Sequence, residues 1–218
     1  MITLTEENYI KAIYHLANNG ENTVNTNAIA EAMQTKASSV TDMIKKLSAK
    51  NYTDYKKYQG VTLTAQGKRV AVNIIRKHRL WEVFLVEKLN FSWDEVHEVA
   101  EHLEHIKSEK LVDQLDAFLE YPTQDPHGDP IPNKEGKFQH IEKVVLAKAE
   151  VGSSYKCVGV DDTSTTFLKY LDSNQIGLGT IVTVKHKEPY DHSVKIALDD
   201  TVIVVSQSVA KNLYVKKV

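Results

Sequence analysis

Cysteine is almost absent from this 218-residue chain, where Cys157 stands alone. One thiol cannot build a disulfide framework, and it excludes metal sites made of several thiolates. Long apolar runs are missing too. No stretch of 18 apolar residues occurs and no apolar segment opens the chain, so the sequence reads as soluble and cytoplasmic, with no membrane partner. Repeats and low-complexity tracts are lacking. So are the H-E-x-x-H and H-x-x-E-H metalloprotease patterns, the G-x-S-x-G elbow, the P-loop and the dinucleotide fingerprint, which leaves the common hydrolase and nucleotide-enzyme readings without a motif. A formal net charge of only −2 gives the whole chain no general affinity for polyanions.

That small charge hides an asymmetry. Residues 1–80 hold 12 Lys+Arg against 6 Asp+Glu, whereas residues 81–218 hold 15 against 23. A basic N-terminal part joined to an acidic remainder suits a nucleic-acid module attached to a sensing or dimerising one. Apolar periodicity predicts a helix over Thr5–Ala17 and a short one from Thr26, which also serves as a candidate N-cap. After a turn at Gln34–Lys36, a third helix is predicted over Ala37–Lys50. Two alternating runs, Tyr52–Tyr55 and Val61–Leu63, then form a hairpin with a basic tip. Helix, helix, tight turn, helix and hairpin is the plan of a winged helix-turn-helix. Thr64, Ser92 and Ser108 are expected to cap three further helices, about Ala65–Lys88, to Lys107 and to Glu120. Four of the five prolines lie in the irregular stretch 121–137, a linker or an ordered loop, and short Val/Ile/Thr-rich runs beyond about Ile141 suggest a small β-barrel.

The stretch His97-Glu-Val-Ala-Glu-His-Leu-Glu-His105 concentrates chemistry. On a helix turning 100° per residue, His97, Glu101, Glu104 and His105 share an arc of about 100°. Carboxylates and imidazoles aimed the same way repel or compete unless a cation sits among them, and a divalent metal ion is the simplest one. His78 and Glu82, at i and i+4, share a face of the preceding helix and are the next candidates. Oxygen and imidazole donors suit Mn²⁺, Fe²⁺ or Zn²⁺, and donor type alone does not separate these. For DNA, Lys36, Ser38, Ser39 and Thr41 lie at the start of the third helix, where small hydroxyl side chains and free N–H groups can meet phosphates and base edges. Thr26 joins this set, Lys45, Lys46 and Lys50 extend the basic side, and Lys56 and Lys57 arm the wing.

Together these segments resemble the diphtheria toxin repressor and manganese transport regulator (DtxR/MntR) family of metal-dependent repressors. The resemblance spans essentially the whole chain. It rests on Glu7-Asn-Tyr-Ile-Lys-Ala-Ile-Tyr14, Ser38-Ser-Val-Thr41, Arg76-Lys-His-Arg-Leu80, Glu101-x-x-Glu104-His105 and Asp125-Pro-His-Gly-Asp-Pro-Ile-Pro132. It implies a homodimer, a C-terminal SH3-like (FeoA-like) domain, and two metal sites. One would use Asn8, Glu101, Glu104 and His105; the other His78, Glu82 and His97, with Asp161 or Asp162 as possible additions. Asn8 departs from the Asp or Met common in relatives, and Lys11 stands where the manganese regulators carry Glu, which argues against a close pair of ions. Glu101, where iron sensors often have Cys, favours Mn²⁺ over Fe²⁺.

The expectation is therefore an α+β protein: a winged helix-turn-helix over 1–64, a helical metal-binding and dimerisation domain over 65–140, and an SH3-like β-barrel over 141–218. It would be a non-enzymatic repressor of metal-uptake genes that binds double-stranded operator DNA as a homodimer. A winged-helix regulator with a purely structural metal, and a metallohydrolase with an accessory barrel, are the rival readings.

Overall fold

Thr3 and Glu6 set the start of the first helix, α1 (Leu4–Leu16). The Thr3 hydroxyl accepts from the Glu6 N–H at 3.3 Å and the Glu6 carboxylate accepts from the Thr3 N–H at 2.9 Å, a capping box that satisfies two otherwise orphaned donors. The computed structural model describes residues 2–56, 59–199 and 201–218. They divide into two units. One comprises residues up to His78 with Glu101–Val112 and Pro132–Phe138; the other comprises Arg79–Ala100, Asp113–Ile131 and Gln139–Val218.

In the first unit, α1 buries Tyr9, Ile10, Ile13 and Tyr14 and ends where Asn18, Asn19 and Gly20 take positive φ. Helix α2 (Thr26–Ala32) is capped by Asn25, whose side chain accepts from the Ala28 N–H at 2.8 Å, so Thr26 is the first helical residue and not the cap. Helix α3 (Ala37–Ala49) buries Val40, Ile44 and Leu47 and has Lys36 at its N-cap without a side-chain bond, leaving Ser38 and Ser39 free of capping duty. Strands β1 (Thr53–Lys56) and β2 (Gly60–Leu63) pair antiparallel from Thr53↔Leu63 to Lys56↔Gly60, as the alternating pattern predicts. A bridge between Val24 and Val61 fastens this hairpin to the three-helix core. The Thr64 hydroxyl accepts from the Gly67 N–H at 3.0 Å at the start of α4 (Ala65–Leu89). A Cβ on Gly67 would lie 2.0 Å from the Tyr52 carbonyl oxygen, so only glycine lets the helix approach the hairpin this closely.

Two helix limits differ from expectation. Helix α5 runs only over Val96–Leu103. Ser92–Glu95 form a turn closed by the Glu95 N–H on the Ser92 carbonyl, and the Ile106 N–H turns back to the Leu103 carbonyl at 3.1 Å. Glu104 and His105 thus occupy the turn after α5 and not its regular face. Helix α6 (Glu109–Phe118) starts on Ser108 as predicted, with the Leu111 N–H donating to its hydroxyl.

The second unit holds an antiparallel sheet of β3 (Val144–Val145), β4 (Ser154–Val160), β5 (Ile181–Lys187), β6 (Val194–Leu198), β7 (Thr201–Val205) and β8 (Leu213–Lys217). Their order is β3-β8-β4-β5-β6-β7. Bulges follow Cys157 in β4 and Val184 in β5, bending the sheet as a small SH3-like fold requires. Helices α7 (Thr165–Ser173) and α8 (Gln207–Asn212) contribute to its core: Leu168, Leu171 and Val209 pack with Tyr155, Val182, Ile196 and Val215. Among the described residues no helix is long and apolar enough to cross a membrane.

Candidate metal centres and nucleic-acid interface

In the first unit, residues from α1, α4 and the end of α5 converge. Glu104 is fully buried. Its Oε2 accepts from Lys11 Nζ and from His78 Nδ1, each at 2.6 Å. Lys11 also donates to Glu101 Oε1 at 2.5 Å. His105 Nδ1 lies 2.6 Å from Glu7 Oε2 and donates its proton there, because a carboxylate only accepts. The lone pair of Nε2 is then left on the side of Glu104 Oε1, 3.7 Å away. A carboxylate that fixes the tautomer of an imidazole in this way is the usual support of a metal-binding histidine. Two buried acceptors in the same unit, Asn8 Oδ1 and Glu104 Oε1, find no hydrogen-bond partner among the described residues. Burial pulls the Lys77 ammonium below its ordinary pKa, against the opposing pull of the Glu7 and Glu104 carboxylates. Asn8, Lys11 and Glu101 also border an open pocket of about 350 Å³ that Ala12, His15 and Met33 help to line.

In the second unit, Glu82 of α4 meets Asp125 and His127 of the proline-rich loop. All three are buried, and one potential ligand atom of each lies within 4.8 Å of the others. Glu82 Oε1 is 3.7 Å from His127 Nδ1 and 3.4 Å from His97 Nδ1. The loop is an Asx turn: Asp125 Oδ1 accepts from the N–H groups of His127 and Asp129 at 2.8 and 3.0 Å. Arg79 Nε approaches Asp125 Oδ2 at 3.3 Å. Burial, then the charges of Glu82 and Asp129, push the Asp125 carboxyl up to about 7, despite Arg79. Burial lowers the His127 imidazole, but Glu82, Asp125 and the Trp93 carbonyl outweigh it and the net shift is upward. Two carboxyl groups and an imidazole brought this close and this far from solvent form a donor set whose charge a divalent ion would balance.

The structure therefore groups Glu101, Glu104 and His105 with Lys11 and His78, and groups Glu82 with His97. His78 is bound to Glu104 and belongs to the first unit, whereas Glu82 and His97 belong to the second. Asp161 accepts from the Tyr214 hydroxyl at 2.8 Å, and Asp162 accepts from the Ser164 N–H at the start of α7. Neither is in the Glu82–Asp125–His127 group. Sequence reasoning missed Asp125 and His127 as candidate ligands, although their carboxylate and imidazole stand two apart in an Asp-Pro-His-Gly-Asp turn. Glu7, which accepts from His105, was missed as well; its spacing of three and seven from the apolar Ile10 and Tyr14 was its signal.

On the opposite business of the first unit, Lys36, Ser38, Ser39, Lys45 and Lys46 of the α3 region and Lys56 of the wing are exposed, with Thr26 and Thr41 partly so. The Thr41 hydroxyl donates to the Ala37 carbonyl at 2.9 Å. Lys50 does not extend this surface freely, since it donates to both oxygens of Glu6. Lys57 lies outside the described residues.

Comparison with known proteins covers nearly all of the chain. Residues 1–61 match the N-terminal DNA-binding domain of iron-dependent repressors, residues 64–133 their metal-binding and dimerisation domain, and residues 144–217 the FeoA domain. The chain is 35% identical to the HTH-type transcriptional regulator MntR of Oceanobacillus iheyensis over 121 residues, covering 56% of this chain and 81% of that one. It is 32% identical to the iron-dependent repressor IdeR of Mycobacterium leprae over 128 residues, covering 59% and 55% respectively. A solved manganese-dependent transcriptional repressor in complex with manganese superposes with a TM-score of 0.84 at 31% identity, covering 98% of this chain and 100% of that one. The chain belongs to the DtxR/MntR family of metal-dependent transcriptional repressors.

Proposed function

We propose that this protein represses metal-homeostasis genes in response to Mn²⁺, with Fe²⁺ as the alternative, and that Asn8, Glu101, Glu104 and His105 form the sensing centre. The observation that carries this reading is the pair of buried, unpartnered acceptors, Asn8 Oδ1 and Glu104 Oε1. An orphaned buried acceptor costs roughly 1–3 kcal/mol, and a fold keeps two of them, one 3.7 Å from His105 Nε2, when a cation supplies the missing partner. When bound, a divalent ion contributes a concentrated positive charge and open coordination positions. Donors of oxygen and imidazole without sulfur suit Mn²⁺, Fe²⁺ or Zn²⁺, and Glu101, where iron sensors often have Cys, supports Mn²⁺ among them. The one thiol cannot join them: Cys157 is buried in the sheet, and burial pushes it up to about 11.

The protein's own residues do the switching. Glu7 holds the Nδ1 proton of His105, so that Nε2 stays available. Asn8 sits on α1, the helix on whose apolar face α2, α3 and the wing are assembled. Glu101, Glu104 and His105 lie at the end of α5. Ligands drawn from both segments favour the arrangement in which they converge, by the difference in metal affinity between that arrangement and others. The exposed N-terminal turn of α3 then meets the major groove, with Lys45, Lys46 and Lys56 on phosphates. A homodimer presents two such helices to a palindromic operator. By reciprocity, operator DNA tightens metal binding.

The test is electrophoretic mobility shift on sequences selected from a random DNA pool, with Mn²⁺ and with chelator. Wild-type protein should shift DNA only with metal. Glu104→Gln should lose that response by 10-fold or more in affinity while keeping its circular dichroism. Metal-independent binding by the wild type would overturn the sensor reading, and an unchanged metal midpoint in the variant would overturn the site.

A further inference from the structure

His127 is held by more than the carboxylates around it. Its Nε2–H donates to the main-chain oxygen of Trp93 at 2.7 Å, and the Trp93 indole lies almost parallel to the imidazole, at 12° with ring centroids 6.2 Å apart. A carbonyl oxygen only accepts, so this bond keeps a proton on Nε2 and turns Nδ1 toward Glu82 Oε1. Trp93 is fixed in turn from its far side. Its Nε1–H donates to Asp172 Oδ2 of α7 at 3.0 Å, its ring packs against the core of the sheet, and the next residue, Asp94, pairs with Lys169 of the same helix at 3.5 Å. The turn that carries Trp93 is neither helix nor strand, and these bonds to α7 join its own Glu95-to-Ser92 closure in placing the carbonyl. The sheet also grips His127 from behind. The Val160 N–H of β4 donates to the His127 carbonyl at 2.9 Å, and a Cβ on Gly128 would come 2.2 Å from the Val158 oxygen.

We propose that Trp93 is a positioning residue for a divalent ion at Glu82, Asp125 and His127, and that Asp172 on α7 sets that position, so that the β-sheet domain tunes the metal affinity of a centre to which it gives no ligand through this link. This rests on reading the Glu82–Asp125–His127 group as a second metal centre. The physical basis is general: a partner on the second nitrogen of a ligating imidazole fixes the ring's tautomer and orientation, and its loss costs about 10–100-fold in metal affinity. Here the partner is a backbone oxygen, which side-chain replacement cannot delete but can misplace. The indole anchor is the means of misplacing it.

The experiment uses full-length protein in a Glu104→Gln background, which silences the other centre, and titrates Mn²⁺ by calorimetry with stoichiometry checked by electron paramagnetic resonance. Asp172→Ala and Trp93→Phe, which each remove the anchoring bond, should raise the Mn²⁺ dissociation constant about 10-fold. Asp172→Asn, whose amide oxygen still accepts the indole N–H, should return it to within about 2-fold of the parent. A merely structural role would not separate Asp172→Asn from Asp172→Ala once both are shown to melt at the parent temperature. Unchanged affinity in Asp172→Ala and Trp93→Phe overturns the positioning role alone. If His127→Ala leaves the Mn²⁺ stoichiometry of the same background unchanged, the group is no metal centre and both the reading and the inference fall.

Discussion

Lys11 carries the sharpest conflict of interest in the first unit. Its ammonium neutralises Glu101 and Glu104 at 2.5 and 2.6 Å, and these are the carboxylates on which a divalent ion would draw. Without metal, the pairing is what makes a fully buried Glu104 tolerable, together with His78. With metal, the same charge opposes binding. Lys11→Met, close in length and neutral, should therefore destabilise the chelated protein by about 2 kcal/mol, because it leaves buried charge uncompensated. It should also gain more melting temperature than the wild type on addition of saturating Mn²⁺, since binding to the folded state adds stability that grows with the logarithm of ligand concentration over dissociation constant. Differential scanning calorimetry with chelator and with Mn²⁺ measures both. Equal metal-induced shifts in the two proteins would show that Lys11 does not compete.

Between elements, Glu6 does two jobs at once. It closes the capping box of α1 and accepts from Lys50, the C-cap residue of α3, at 2.7 and 2.8 Å. The bond from Lys50, ahead of the cap and against some desolvation, holds the Glu6 carboxyl below its ordinary 4.5. A carboxylate with a depressed folded-state pKa stabilises above its unfolded pKa, and that stability is lost as pH falls through the folded one. Lys50→Met should thus cost about 1 kcal/mol near neutrality, and the difference from wild type should vanish in acid as Glu6 protonates. Chemical denaturation across that range checks it, and a constant gap at all pH values would disprove it. The same scale explains what was legible in the sequence. Helices α1 to α4 and the hairpin announce themselves through apolar period, and α4 and α6 also through their caps, Thr64 and Ser108. The helical period named Glu104 and His105 but not their placement, since α5 stops before them and they lie in the turn that follows. Asp125 and His127 could not be read this way: they are buried in an Asx turn with no period, and their partner Glu82 is more than forty positions away. Strands β4 and β8 escaped for a related reason, since the bulge at Cys157–Gly159 breaks the alternation and β8 follows directly on the six-residue α8.

For the molecule as a whole, charge decides how DNA can be bound. The chain carries −2 overall, yet its first 80 residues carry twice as many basic as acidic side chains. Attraction to phosphate must therefore be local to the exposed face that presents Lys36, Lys45, Lys46 and Lys56, and the acidic remainder discourages DNA from docking elsewhere. In a homodimer every such lysine acts twice. Each phosphate contact releases condensed counterions and contributes about −0.9 to the slope of log affinity against log salt, so one substitution removes two contacts per dimer. Lys46→Ala should then flatten the slope by about 2 and weaken operator and non-operator DNA alike, because a phosphate contact carries no base information. Ser39→Ala should leave the slope alone and narrow the gap between operator and non-operator binding, as expected of a small side chain near base edges. Fluorescence anisotropy at several salt concentrations with saturating Mn²⁺ distinguishes the two. If Lys46→Ala leaves the slope unchanged, the basic face of α3 is not where this repressor meets the phosphate backbone.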